Sequence, residues 1–280
     1  AYYLGQSHGF NTVHGRMPSV TTGAYAVNKD LLYLGVSGDG DSASIGIGQL
    51  IHAIRRNVDM VYILENNGVY GLTKGQYSAT ADIGSKKKKG TPNQTQPIDL
   101  CALAINLGCS FVARSFSGSK KQLNSLIKAA MSHKGFALID IISPCVTFNN
   151  NDESLKSYGY VKDNNVTLHI ADYIPNREPM KEVEVPEGHF RDITLHDGSV
   201  IRLETISEEH DPTNAVAALS ALHAADTESK HVTGLLYFDG SKPSLIEDLD
   251  LVETALIDVP DSELRPSREI LDKLNAAFLS

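Results

Sequence analysis

The amino-acid sequence predicts an α/β fold with a doubly wound, mostly parallel sheet. An apolar run at 31–36 is followed by a glycine-rich turn, helically spaced apolar residues at 42–56 and a second apolar run at 60–64, which together form one βαβ unit. The continuous apolar run at 136–142 is typical of a buried parallel strand. Because strand and helix patterns alternate as far as residue 149, we expect helices on both faces of this sheet.

The other elements follow from the same periodicities. A short helix is predicted at 17–27, with Thr12 as its N-cap and a break at Pro18. The polar stretch at 77–96 has no period, and an irregular stretch of that length is usually functional. Further helices are predicted at 97–107, 119–133, 211–225 and 267–279, a strand at 109–114, and a β-hairpin at 190–203 around Asp197-Gly198.

Length and composition are those of a protein with a sizeable core. The chain has 280 residues, of which 41% are hydrophobic and 21% are charged. We expect an α/β domain at 1–165 and, at 166–280, a C-terminal extension with the hairpin and helices. No catalytic group is recognised after residue 149, so we expect this extension to form a subunit interface.

Charge and cysteine content restrict the partners and the compartment. The net charge of −9 and the pI near 5.5 argue against nucleic acid or an anionic membrane as a partner. The lysines at 86–89 precede Gly90 and Pro92 and are interpreted as a solvated loop. The sequence opens without a secretory leader, and its three cysteines do not suit a disulfide scaffold, so we expect a cytoplasmic protein.

Two polar groups are predicted to meet at the carboxyl edge of the sheet. Asp39 follows the first strand and Asn67 follows the second, and ligands bind at this edge of open α/β sheets. Their oxygens, with the backbone carbonyl of Val69, would suit Mg²⁺, which usually shares its ligands with substrate phosphates. Gly38 and Gly40 would let the backbone approach a diphosphate at the start of the following helix.

The motif GDG, followed at the right distance by NN, resembles the thiamine diphosphate motif. The longer string GDGDSASIG…NNGVYGLTKGQYS resembles the β subunit of 2-oxoacid:ferredoxin oxidoreductases, particularly the 2-oxoglutarate type. The resemblance covers residues 1 to about 225 and is most specific at 38–80. It implies the thiamine diphosphate-binding fold for the predicted sheet.

The resemblance also implies roles for single residues near the cofactor. It implies that His14, in a segment similar to FHTxHGR, lies near the diphosphate, where an imidazole could donate to a phosphate oxygen. A histidine bonded within a turn is an equally good interpretation of His14. Asp41 and Gly71 are expected at the cofactor, with Leu72 pressing on it and excluding water. From spacing alone, Lys74 would be a surface lysine in a polar loop. GLTKGQ is similar to a family segment linked with substrate carboxylates, however, and this resemblance implies that Lys74 binds substrate and favours a dicarboxylate such as 2-oxoglutarate.

Cys145 differs from Cys101 and Cys109, which we interpret as core residues. It follows Pro144 at a strand end and matches the segment SPCxTFN, in which the cysteine is one of four ligands of a 4Fe–4S cluster. In the family the other three precede the HGR motif, and 1–15 does not supply them, so we expect the native chain to begin earlier. From the residues alone, a lone cysteine is more often a buried apolar residue.

The resemblance implies a subunit that oxidatively decarboxylates 2-oxoglutarate, or another 2-oxoacid, to its acyl-coenzyme A and reduces ferredoxin, or that runs in reverse to fix CO₂. Its cofactors would be thiamine diphosphate, Mg²⁺ and the cluster. A partner α subunit would supply the coenzyme A site and the glutamate that activates the aminopyrimidine, because Glu65 ends a strand on the diphosphate side. One alternative is a non-redox thiamine diphosphate-dependent decarboxylase or synthase. Another, a non-catalytic nucleotide-binding module, is disfavoured because the first turn lacks GxGxxG.

Overall fold

A computed structural model describes residues 5–85, 91–176, 190–205, 210–252 and 254–278. The strands of these segments are β1 Leu34–Gly38, β2 Met60–Asn66, β3 Val69–Tyr70, β4 Gln76–Tyr77, β5 Phe111–Phe116, β6 Phe136–Ile142, β7 Asn165–Thr167, β8 His169–Ile174, β9 Phe190–Thr194, β10 Val200–Thr205 and β11 His231–Phe238. Their helices are α1 Met17–Val27, α2 Ile47–Arg55, α3 Leu100–Asn106, α4 Lys120–Met131, α5 Tyr158–Asp163, α6 Ala215–Thr227, α7 Leu245–Leu249, α8 Asp261–Leu264 and α9 Arg268–Phe278. A short 3₁₀ turn, Leu256–Asp258, precedes α8.

The central sheet has the order β1-β2-β6-β5-β11-β7. Strands β1, β2, β6 and β5 run parallel, each hydrogen-bonded to the next in that order. Alternate residues of β2 enter two separate cores. Tyr62 packs with residues of α2, α3 and α6 on one face, while Val61 packs with α4 and the small sheet β8-β10-β9 on the other. The predicted doubly wound, mostly parallel sheet is confirmed.

The helix predicted at 42–56 is divided in two. A π-helical turn, Gly40–Ile45, follows β1, and α2 begins only after Gly46. A Cβ on Gly46 would lie 2.6 Å from the Cα of Gly15, and Gly15 itself has φ +72°. The close approach of these two backbones places the break at Gly46, and periodicity within the helix could not reveal it.

Helix α1 is present as predicted, but the details at its start were wrong. Pro18 lies in the first turn, where a missing backbone N–H costs no helical hydrogen bond, so it does not break the helix. The N-cap position is Arg16, which makes no side-chain capping bond, and Thr12 lies four residues earlier.

The chain beyond residue 165 returns to the central sheet. Strand β11, which the sequence did not predict, pairs antiparallel with β5 and parallel with β7. The predicted hairpin is confirmed as β9 and β10, and the helices predicted at 211–225 and 267–279 are α6 and α9 with shifted ends. The sheet thus crosses the predicted boundary at 165, and the division into two domains stays a prediction. The lysines at 86–89 lie outside the described residues.

Within the described ranges, no helix has both the length and the apolar character needed to cross a membrane.

Two buried histidines make the stability of the fold depend on pH. Burial, followed by the neighbouring His196, lowers the pKa of His133 to about 3, and burial with the neighbouring His210 lowers the pKa of His169 to about 3. Their usual value is 6.5. Between about pH 3 and pH 6.5, both histidines are protonated in the unfolded chain but neutral in the folded chain. The contribution of these two histidines to stability is therefore fully present above about pH 6.5 and is lost as the pH falls towards their folded-state pKa values of about 3.

Replacing His133 with Gln should flatten the dependence of unfolding free energy on pH. The expected change is about 1.4 kcal/mol per pH unit between the two pKa values, because one fewer proton is taken up on unfolding. Chemical denaturation over a series of pH values measures this slope. The exposed His223, replaced by Gln, should keep the wild-type slope. Parallel curves for the wild type and His133→Gln would show that His133 is not buried as the neutral imidazole.

Candidate functional site

Asp39 is the buried centre of the site. It follows β1 directly, its side chain is only 1% exposed, and the parallel pairing of β1 with β2 places it beside the end of β2. Its carboxylate accepts the backbone N–H of Asn67 at 3.3 Å and of Gly68 at 3.1 Å. The structure therefore brings Asp39 and Asn67 together, as their positions at neighbouring strand ends predict.

Two further residues, Ser78 and Thr80, complete the surroundings of Asp39 and were missed in the sequence. The hydroxyl of Ser78 donates to Oδ2 of Asp39, and the hydroxyl of Thr80 lies 2.6 Å from the same oxygen. Both belong to the polar stretch at 77–96, whose length and lack of period predict a functional role but single out no residue. The only sequence signal was that stretch, because it reaches Asp39 through an irregular path.

The remaining oxygens fit a hard cation. Among the described residues, Oδ2 of Asp39 accepts from three groups, while Oδ1 accepts only the long bond from Asn67 and keeps capacity for a metal. Within the same part of the chain, Oδ1 of Asn67 accepts a single N–H, from Val69 at 3.0 Å. With the carbonyl of Val69 these atoms form an all-oxygen donor set of the kind that Mg²⁺ takes together with phosphates. No group of three or more His, Cys, Asp or Glu side chains suited to a metal occurs among the described residues.

The two predicted diphosphate glycines differ in what they accommodate. A Cβ on Gly38 would meet no atom within 4 Å, so this glycine leaves open space at the end of β1. A Cβ on Gly40 would lie 2.4 Å from the ring of Tyr70. The hydroxyl of Tyr70 donates to the carbonyl of Gly40 at 3.1 Å. Gly40 is therefore required by the packing of Tyr70, and Gly38 is the position that leaves room for a ligand.

Asp41 ties the segment containing His14 to the site. Its Oδ1 accepts the backbone N–H of Gly15 at 2.9 Å and lies 2.7 Å from Nδ1 of His14, while Oδ2 accepts from Ser37 at 2.8 Å. The side chain of His14 is 77% exposed. With Nδ1 bonded to Asp41, this imidazole can donate to a phosphate from Nε2 only when both nitrogens carry protons.

The loop after Val69 forms a tight turn beside the metal-binding candidates. The backbone N–H of Lys74 donates to the carbonyl of Gly71 at 3.1 Å, and Lys74 has φ +77°, which a non-glycine residue rarely adopts. Gly75, at φ +87°, lies against the ring of Phe148. Leu72 is 93% exposed at the tip of the turn. A ligand or another chain would have to cover Leu72 for it to exclude water.

Cys145 lies three residues beyond the end of β6 and is partly exposed. Its carbonyl accepts the backbone N–H groups of Phe148 and Asn149, at 3.2 and 2.8 Å, so it begins a tight turn. Cys101 and Cys109 are fully buried, as predicted. Burial raises the pKa of the Cys101 thiol well above its usual value and that of Cys109 to about 12, so neither is available as a thiolate.

A cavity of about 480 Å³ adjoins Thr80 on the side of α3 and α6. Its buried charges are already paired, since Arg114 binds Asp140 at 2.8 Å and Lys156 binds Asp82 at 2.6 Å. Asn66 and Thr80 line this cavity, whereas Asp39 is not among its lining residues.

Comparison with known proteins identifies the family. Residues 2–141 match the model of the thiamine pyrophosphate enzyme C-terminal binding domain. The 2-oxoacid:ferredoxin oxidoreductase subunit beta of a Sulfolobus species is 49% identical over 180 residues, which are 64% of this chain and 56% of that protein. The 2-oxoglutarate oxidoreductase subunit KorB of Mycobacterium tuberculosis is 40% identical over 161 residues, or 56% and 43% of the two chains. The 2-oxoglutarate synthase subunit KorB of Methanocaldococcus jannaschii is 35% identical over 188 residues, or 65% and 69%.

A solved structure resembles the whole described fold. The 2-oxoglutarate:ferredoxin oxidoreductase from Magnetococcus marinus, with 2-oxoglutarate, coenzyme A and succinyl-CoA bound, has a TM-score of 0.69 at 29% identity, over 96% of this chain and 76% of that one. The chain spans about half the length of the first curated relatives that it matches. It belongs to the thiamine pyrophosphate enzymes, among the β subunits of the 2-oxoacid:ferredoxin oxidoreductases.

Proposed function

We propose that this chain is the cofactor-binding part of an enzyme that oxidatively decarboxylates 2-oxoglutarate to succinyl-coenzyme A and reduces ferredoxin, or runs the reverse reaction. The observation that carries the proposal is the set of oxygens from Asp39, Asn67 and Val69 at neighbouring strand ends. The names of the relatives support the reaction class, and the ligands of the Magnetococcus marinus enzyme support the substrates.

Thiamine diphosphate, when bound, supplies a thiazolium that stabilises the carbanion left by decarboxylation. The residues of this chain would hold and shield it. Asp39, Asn67 and the carbonyl of Val69 would bind Mg²⁺, which would in turn hold the diphosphate. Gly38, where a Cβ would meet no atom within 4 Å, would leave space for that diphosphate, and Asp41, which lies against Nδ1 of His14, would orient the imidazole. Gly71 and Leu72 would lie along the cofactor.

Partner chains would complete the active site. Glu65 is exposed and pairs in register with Gly38, at the diphosphate end of the sheet, so we propose that an α subunit supplies the activating glutamate and the coenzyme A site. The C-terminal extension would contribute to subunit contact. In support, α9 buries none of its residues and exposes Ile270, Leu274 and Phe278. The three free cysteines support a reducing, cytoplasmic location.

Cys145 would be one ligand of a 4Fe–4S cluster that passes electrons to ferredoxin. Its partial exposure supports this role, and so does the turn that it begins, because Phe148 of that turn contacts Gly75 in the loop after Val69. The buried Cys101 and Cys109 are unsuited to this role, so the other three ligands would come from outside this sequence. A non-redox thiamine diphosphate enzyme would need no such cluster.

Replacing Asp39 with Asn should abolish retention of thiamine diphosphate. The amide keeps an acceptor for the surrounding donors but loses the charge that binds Mg²⁺. Loss of a residue that only orients a metal ligand typically weakens metal binding roughly 10–100-fold. Loss of a ligand itself should raise the dissociation constant of thiamine diphosphate by more than that. Isothermal calorimetry with Mg²⁺ and thiamine diphosphate measures the effect. Asp239→Asn, at the opposite edge of the sheet, is the matched control. Unchanged affinity in Asp39→Asn would remove Asp39 from the metal site.

Replacing Lys74 with Ala should raise KM for 2-oxoglutarate much more than KM for pyruvate. The expected loss, on the order of 10-fold, corresponds to one charge-assisted hydrogen bond to the distal carboxylate, which pyruvate lacks. Steady-state kinetics with both acids gives the ratio. The exposed Lys128, replaced by Ala, should change neither value. Equal losses for both acids would show that Lys74 does not discriminate between them, and no loss for either would show that it does not contact substrate.

Replacing Cys145 with Ser should lower the iron content of the purified complex and stop electron transfer to ferredoxin, because a hydroxyl is a poor ligand for an iron–sulfur cluster. Iron analysis and a viologen reduction assay measure the two effects. Cys109→Ala should cost stability without loss of iron, since that thiol is buried in the core. Full iron content with normal electron transfer in Cys145→Ser would show that Cys145 is not a ligand of the cluster.

A further inference from the structure

The segment that follows Cys145 reaches back to the loop carrying Asn67. Asn149 is 7% exposed, and its side-chain amide donates to the carbonyl oxygen of Asn67 at 2.7 Å. Its own backbone N–H donates to the carbonyl of Cys145 at 2.8 Å, which ties Asn149 to the turn that begins three residues after β6. Both backbone groups of Asn67 are therefore held, since its N–H donates to Asp39 and its carbonyl accepts from Asn149.

Lys156 holds the second loop in the same way. Its side chain is 7% exposed, a rare position for a lysine unless its charge is paired. The ammonium donates to the carbonyl of Thr80 at 2.8 Å and to Oδ1 of Asp82 at 2.6 Å. Thr80 is the residue whose hydroxyl lies against Asp39. Lys156 thus fixes the backbone from which that hydroxyl reaches the carboxylate.

The two side chains meet at Gly68, between the loops. A Cβ on Gly68 would lie 3.1 Å from the amide nitrogen of Asn149 and 3.6 Å from Cδ of Lys156. Gly68 has φ +75° and donates its N–H to Asp39. Asn149 and Lys156 therefore hold one residue of each loop around the carboxylate, Asn67 and Thr80, although neither bonds to Asp39 itself.

We propose that Asn149 and Lys156 are positioning residues of the Mg²⁺–diphosphate site, an inference that rests on the proposed function. They fix the Asn67 and Thr80 backbones and thereby the oxygens that would bind the metal. Residues that orient metal ligands without touching the metal typically change its affinity about 10–100-fold. Without these two side chains, the loops would have to become ordered when the cofactor binds. The free energy of that ordering would weaken binding, whereas in the wild-type protein the loops are already ordered.

The test is cofactor affinity in the full-length protein, purified with its partner subunits. Asn149→Asp keeps the shape but removes the donor, and Lys156→Met keeps the stem but removes the ammonium. Each should weaken binding of Mg²⁺ with thiamine diphosphate about 10-fold or more by calorimetry. Lys242→Met is the matched control, because its ammonium also donates to a backbone carbonyl, that of Gly108, away from the site. It should bind the cofactor as the wild type does.

A double variant separates positioning from charge balance. Lys156→Met leaves the carboxylate of Asp82 unpaired, and adding Asp82→Asn removes that charge without restoring the bond to Thr80. The double variant should bind as weakly as Lys156→Met. Electron paramagnetic resonance of Mn²⁺ bound with the cofactor at saturation should also show an altered zero-field splitting in Asn149→Asp and Lys156→Met, and the wild-type signal in Lys242→Met.

Three results would overturn the proposal: wild-type affinity in Asn149→Asp and Lys156→Met, an equal loss in Lys242→Met, or recovery of affinity in the double variant. The last two would assign the effect to general stability or to charge. The experiment also distinguishes a failure of the positioning role from a failure of the proposed function. A wild-type protein that binds no thiamine diphosphate contradicts both, whereas normal wild-type binding with unaffected variants contradicts only the positioning role.

Discussion

The burial of one carboxylate, that of Asp39, is the constraint on which the site depends. A buried carboxylate is costly unless its oxygens accept hydrogen bonds or bind a cation. Here four donors from two loops, at residues 67–68 and 78–80, point to it. Those loops have no regular secondary structure of their own beyond the short ladder of β3 and β4. The carboxylate therefore organises them, and Oδ1, which accepts the single long bond from Asn67 among the described residues, would keep capacity for the proposed cation.

This arrangement is anchored in the core by a second set of buried polar contacts. Asn66 donates to Asp140 at 3.1 Å, and Arg114 bonds both Asp140 and Asp99 at 2.8 Å. Burial alone would lower the pKa of Arg114, but the charges of Asp99 and Asp140 raise it well above its usual value. Asp99 also caps α3 by accepting two backbone N–H groups. The strand ends at the site are thus tied to a helix start, which limits their movement.

The sequence allowed the strand-end residues to be predicted because their placement follows from local patterns. A βαβ unit brings Asp39 and Asn67 to one edge whatever the rest of the chain does. Ser78, Thr80, Asn149 and Lys156 could not be predicted, since irregular loops carry them to Asp39 and no periodicity describes such paths. Strand β11 was missed for a similar reason. It comes from the C-terminal extension and inserts antiparallel beside β5, although strands β1, β2, β5 and β6 alternate with helices along the chain.

The ligands of the metal can be seen directly in a crystal structure of the full-length protein with its partner subunits, grown with Mn²⁺ and thiamine diphosphate and measured at the manganese absorption edge. We expect one anomalous peak at the strand ends, about 2.1 Å from Oδ1 of Asp39, Oδ1 of Asn67 and the carbonyl oxygen of Val69, with the diphosphate on its open side. A bound cofactor whose manganese is held by other residues would contradict it.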